Sequence, residues 1–228
     1  GLGDVYKRQV FVNAGDTLRI EPGTVVLGAE GQGRSESLVE IPFAFGSINT
    51  VSYSTMPGAL IVSRGAFLDA QGTATCPIQF SFLGDPLDGS VGLDVRGMWG
   101  GLALCGAAPT NTLNLDLSFA NAPSFTGGVG SGEDLLEGVV DVTGQQRHVY
   151  GGNSDPHGAS GILRHLSIRH GSTNLGWNMS GNGHETDLLQ LGACGSGTVV
   201  EHIELLASAD DGLHLSLIHI SEPTRHRL

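Results

Sequence analysis

Asp210 and Asp211 are adjacent carboxylates, and with His170 or His202 on a shared groove they are the chain's best material for hydrolytic chemistry. Cleaving a glycosidic bond needs two carboxyl groups about 5 to 9 Å apart, one to protonate the leaving oxygen and one to attack or to activate water. Neighbours on a strand point to opposite faces, so both aspartates face one groove only if they lie on a turn. The bland reading of Asp210-Asp211-Gly212, a solvated corner at the end of the segment 203–207, outweighs the catalytic one. Lyase chemistry instead needs a base for the proton α to a uronate carboxylate and a cation for the charge that develops. The only lysine is Lys7, and the internal cations are Arg19, Arg34, Arg64, Arg96, Arg147, Arg164 and Arg169. Arginine stays protonated, which makes it a poor base.

Hard cations bind carboxylates and backbone carbonyls at Gly-rich corners. The candidates for Ca²⁺ are Asp155, Glu185, Asp187, Asp210 and Asp211, with Glu133, Asp134 and Glu137 as a second acidic group, although none has a fixed EF-hand spacing. His165, His170, His184 and His202 are the material for a transition metal; His165 and His202 occupy one repeat position, so a stacked surface ladder is the competing reading. Cys76, Cys105 and Cys194 show no Cys-x-x-Cys spacing, which argues against zinc ribbons and redox motifs. Cys76 and Cys105 fall in apolar segments that can lie on successive coils, as a disulfide or as buried free thiols. Trp99, flanked by a strand-like run, is expected inside, whereas Trp177, in polar sequence, is the candidate platform for a sugar ligand.

These groups must be positioned by strands. Glycine is 36 of 228 residues, about 16 % against a usual ~7 %, while proline is only 9 and 39 % of the chain is apolar, which excludes collagen and a disordered tail. The charge of −12 argues against a nucleic-acid partner, and no apolar run is long enough to span a bilayer. Val10-Phe-Val12, Gly15, Leu18 and Pro22-Gly-Thr24 recur as Leu60-Ile-Val62, Gly65, Leu68 and Gln71-Gly-Thr73. Gly161-Ile-Leu-Arg-His-Leu-Ser-Ile168 recurs 37 residues later as Thr198-Val-Val-Glu-His-Ile-Glu-Leu205. Each unit is a short alternating segment, a Gly turn and another short segment, and helix periodicity is nearly absent. Such units bury their inward side chains only by stacking, so one solenoid domain is expected over 10–214, with insertions near 30–58 and 107–148. Offsets of 50 and 37 then mean two coils, or one coil with an insertion.

Seven blocks carry a family resemblance: residues 15–24, 59–65, Gly72-Thr-Ala-Thr-Cys-Pro-Ile-Gln-Phe80, Arg96-Gly-Met-Trp-Gly-Gly-Leu102, Tyr150-Gly-Gly-Asn-Ser-Asp155, 161–171 and Ala207-Ser-Ala-Asp-Asp-Gly212. In this order they resemble secreted bacterial proteins with the right-handed parallel β-helix, or pectin-lyase-like, fold, many of unassigned function. The resemblance implies an all-β, right-handed solenoid, secreted or at the cell surface. Asp210-Asp211 is also similar to the paired aspartates of polygalacturonase-like hydrolases, but the His-containing and Arg-Ile-Lys elements expected beside them are missing. The leading expectation is therefore a non-catalytic exported module, structural, adhesive or glycan-binding. The alternative is a carbohydrate-active enzyme, a polysaccharide lyase or glycoside hydrolase acting on acidic polysaccharide. Expected partners are polysaccharide, cell-surface components and remaining coils of the full-length chain. Residues 1–9 and 215–228 resemble translated sequencing-adapter DNA from metagenomic reads, so a helix truncated at both ends is expected. Without those ends, the 11 basic and 23 acidic residues fall to 7 and 21, moving the charge to −14.

Overall fold

The computed structural model describes residues 9–32, 35–40, 47–52, 57–110, 132–137, 139, 147–152, 154–173 and 186–216. Among these the chain is all β, with no helix. One parallel sheet takes, in spatial order, β1 (Gln9–Val12), β6 (Ala59–Val62), β9 (Leu102–Cys105), β13 (Leu189–Gly192) and β15 (Leu213–Ser216). A second holds β2 (Thr17–Ile20), β7 (Phe67–Gln71), β12 (Gly161–Arg169), β8 (Ile78–Phe82) and β3 (Val25–Gly28), with β14 (Val199–Leu206) paired to β12. Two antiparallel pairs form separate two-stranded sheets: β4 (Ser35–Glu40) with β5 (Ser47–Ser52), and β10 (Glu133–Leu135) with β11 (Val149–Gly151).

The register explains the sequence repeats. Val10 pairs with Leu60 and Val12 with Val62, while Leu18 pairs with Leu68. Ile162 pairs with Val199, and Ile168 with Leu205. The strands at offsets of 50 and 37 are direct neighbours, so each offset is one coil carrying an insertion. The bare spacing is seen between β13 and β15, where Leu189 pairs with Leu213. Gln9 and Ser216, inside the stretches compared above to adapter sequence, pair with Ala59 and Gly192.

β12 joins two arms of the second sheet. Its first half pairs with β7 and its second half with β8, and His165 between them adopts φ 48°. His202, at the same place in β14, adopts φ 56°. A left-handed residue bends the strand without an added turn, a conformation uncommon for non-glycine residues.

Inward side chains form the main core: Leu60, Val62, Leu68, Phe80, Leu102, Leu104, Leu163, Ile168 and Leu189 among them. Trp99 is buried there as expected, stacked 6.4 Å from Phe80 with its indole N–H donating to the Arg169 carbonyl at 2.7 Å. Its ring lies against Gly28, where a Cβ would come within 2.7 Å of it. A second core forms outside the first sheet from Ala59, Ile61, Ala103, Cys105, Leu136, Val139, Tyr150 and Ala193. The β10–β11 hairpin, from the insertion near 107–148, is thus folded onto this sheet. Arg64 clamps it, donating to Glu133 at 2.5 Å and to the Gly151 carbonyl at 2.8 Å.

The expected Cys76–Cys105 disulfide is corrected: both are free thiols, as is Cys194. Cys76 is exposed in the turn after β7, bonded through its backbone to Thr73, whereas Cys105 is buried under the hairpin on the other sheet. Cys105 is in the first sheet and Cys76 in the turn between β7 and β8 of the second, so the two do not stack on successive coils of one sheet. Burial pushes the Cys105 thiol well up and the Cys194 thiol up to about 12, so both remain protonated.

Candidate functional site

Three strands' worth of chain meet at one edge of the first sheet. Asp187 precedes β13 by two residues, and extending the β13–β15 register places it beside Asp211, whose carbonyl accepts the Leu188 N–H at 3.1 Å. His214, on β15, is the register partner of Gln190 and therefore points outward as Gln190 does. Glu137 follows β10 and arrives with the hairpin that covers the sheet; its neighbour Leu136, 2 % exposed, anchors the approach in the outer core.

The result is one imidazole between two carboxylates. His214 Nδ1 lies 3.1 Å from Asp187 Oδ2 and 3.5 Å from Glu137 Oε2. The three ligand atoms lie within 4.8 Å of one another. Its other nitrogen, Nε2, contacts Ser216 Oγ at 2.9 Å. The Asp187 side chain is 1 % exposed, and its Oδ2 has no properly directed hydrogen bond despite the short distance to the ring. Gln190 Oε1, on the strand beside His214, is buried and has none either. The Glu137 carboxyl is raised by burial first and then by the charges of Asp187, Asp210 and Asp211, with His214 opposing. His214 is raised by its short contact with Asp187, then by the charges of Asp187, Glu137 and Asp211, against burial. This arrangement can share a proton, or hold a cation through two carboxylates and an imidazole.

The residues expected from sequence are distributed unevenly around this cluster. Asp187 is at its centre. Asp210 and Asp211 are exposed just before β15, near enough for their charges to act on Glu137. Asp155 is elsewhere, its carboxylate accepting the backbone N–H of His157 at 3.3 Å in a local turn. His170 is buried, with Nδ1 2.7 Å from the Val95 carbonyl oxygen and its ring edge-on to Phe82. His202 stacks on His165 with ring centroids 4.4 Å apart, in the ladder arrangement weighed above against a metal site. Glu185, His184 and Trp177 lie outside the described residues.

Sequence reasoning missed His214 and assigned Glu137 to a separate acidic group. The available signal is a 24-residue offset that aligns Asp187-Leu-Leu-Gln-Leu191 with Asp211-Gly-Leu-His-Leu215 and so stacks Asp187, Asp211, Gln190 and His214. No comparable signal places Glu137, because an insertion's landing site depends on tertiary packing.

A protein family described as a pectate-lyase like beta helix domain matches residues 4–215. No curated protein matches the chain, and neither does any solved structure.

Proposed function

The chain belongs to the pectate-lyase-like β-helix family, and from that premise we propose that it is a non-catalytic, carbohydrate-binding module, exported and held at a bacterial surface. Its coils wind right-handedly, the hand that parallel strands joined by crossovers adopt almost without exception. The observation that carries the non-catalytic reading is the burial of Asp187. An acid/base pair must reach a bond in a bound polymer, and a side chain 1 % exposed between Glu137 and His214 cannot.

The ligand surface is the outer face of the second sheet. There a continuous polar row crosses four coils: Arg19 to Asp69 at 3.5 Å, Gln71 to Asp69 at 2.7 Å, Arg164 to Gln71 at 2.9 Å and Arg164 to Glu201 at 2.8 Å. Planar donors and acceptors held in register suit hydroxyl-rich polymers, and the stacked His165 and His202 rings border the row. The charge of −12 repels polyuronates, so a neutral polysaccharide is the favoured ligand.

One observation favours the enzyme reading. The Glu137 carboxyl is raised, as a general acid requires, and it lies close to Asp187. Affinity electrophoresis against neutral and acidic polysaccharides, with assays for new reducing ends and unsaturated products, separates the two. Retardation by a neutral polymer without cleavage, weakened in R164A, is expected. Depolymerisation that disappears in D187N would establish the enzyme instead.

A further inference from the structure

We propose that Glu137, Asp187 and His214 form a binding site for one divalent first-row transition-metal ion of the zinc type, which pins the covering hairpin segment to the stacked coils. This goes beyond the carbohydrate reading and does not depend on it. Three residues far apart in sequence bring one ligand atom each to a common point, all within 4.8 Å. Zinc holds imidazole nitrogen and carboxylate oxygen at about 2.0–2.2 Å, which puts neighbouring ligand atoms of a tetrahedral ion about 3.4 Å apart. The separations from Nδ1 are 3.1 and 3.5 Å.

The independent sign of a missing partner is Asp187. Its Oδ2 is buried without a directed hydrogen bond, although Nδ1 is at hydrogen-bonding distance. A buried carboxylate oxygen and a ring nitrogen that are close but not aligned with each other are arranged as two ligands aimed at a third atom. Gln190, the register partner of His214, likewise has a buried Oε1 without a hydrogen bond. The donor set also selects the metal. Calcium takes six to eight oxygen ligands, whereas one imidazole with two carboxylates suits zinc and leaves a fourth position for water. His214 Nε2, contacting Ser216 Oγ, has the second-shell partner that orients a metal-bound imidazole through its other nitrogen.

An ion here closes the chain between residues 137, 187 and 214, so it binds the folded state and raises its stability with concentration. The test is titration of the EDTA-treated chain of residues 1–228 with Zn²⁺ and separately with Ca²⁺, by calorimetry and thermal melting, with Co²⁺ absorption as a report on coordination. One equivalent of Zn²⁺ with a rise in melting temperature, tetrahedral Co²⁺ bands and no response to Ca²⁺ are expected. H214Q, a partly exposed position that leaves the core intact, should weaken Zn²⁺ by at least the ~10–100-fold that losing an outer-shell partner costs. D187N should do the same, and H202Q should leave binding unchanged. Absence of a stoichiometric site, equal binding of Ca²⁺, or loss in H202Q with retention in H214Q would overturn the proposal. The last outcome would assign the ion to the stacked His165 and His202 rings.

Discussion

The outer faces of the two parallel sheets have opposite fates. On the first, Ala59, Ile61, Ala103 and Cys105 lie under the β10–β11 hairpin, and β6 and β9 are apolar on both sides. On the second, Arg19, Asp69, Gln71, Arg164 and Glu201 face water in a paired row, while the inner side of the same strands is buried. The strand geometry is common to both; the covering is what differs. A covered face gains stability from apolar burial, in proportion to area, whereas a wet face of ion pairs contributes little per pair. The candidate metal cluster lies on the first sheet, where Glu137, from the covering segment, meets His214 on β15.

The sharpest way to break this comparison is to truncate one residue on each face. Tyr150 is 3 % exposed within the outer core, and Tyr150→Ala should cost about 3–5 kcal/mol, the range for large aromatic truncations. Arg164→Ala, on the exposed row, should cost less than about 1 kcal/mol. Urea unfolding midpoints of the two variants measure the contrast directly. Equal losses would mean that the hairpin does not seal the first sheet.

The next effect is smaller. A Cβ on Gly192 would come 2.4 Å from the Tyr150 ring, so Gly192→Ala should overpack that contact and cost about 1–3 kcal/mol. Because the clash needs the ring, the double variant with Tyr150→Ala should lose less than the two single losses added together. Strict additivity in the same urea series would show that Tyr150 does not press on this strand.

Much of this contrast is legible in the sequence, for a physical reason. Strands buried on both sides read as continuous apolar runs, as in Ala59-Leu-Ile-Val62 and Leu102-Ala-Leu-Cys105. Strands with a wet face alternate, as in Thr17-Leu-Arg-Ile20. Repeats fix the register because stacked coils must place like residues together, which is why Val10 with Leu60 and Ile162 with Val199 are recoverable from the chain. The site is less legible. Asp187 stands out as an acid at a corner, but its partners come from an insertion and from a strand one coil away. Left-handed bends at His165 and His202 carry no glycine to announce them, and nothing local tells that Cys76 sits in an exposed turn while Cys105 joins the first sheet.

The smallest effect should come from Glu204, on the wet face. Ser167 Oγ donates to its carboxylate at 2.5 Å and Arg169 at 3.0 Å; the Ser167 bond, supported by Arg169, holds its pKa below the ordinary 4.5 although burial opposes it. A carboxyl group with a depressed folded-state pKa contributes stability that is present above its unfolded value, and that is lost as pH falls through the folded value. The side chain is 55 % exposed, so solvent screens most of this contribution. Glu204→Gln should therefore shift stability at neutral pH by no more than about 0.5 kcal/mol. The difference from the parent chain should shrink further as the pH falls below about 4. Added salt should also reduce it, since an exposed pair is screened over about 10 Å at 0.1 M. Thermal melts across pH and salt measure all three. A Glu204→Gln loss as large as that of Tyr150→Ala, or one indifferent to salt, would mean that the second face is also covered and that the two sheets do not differ.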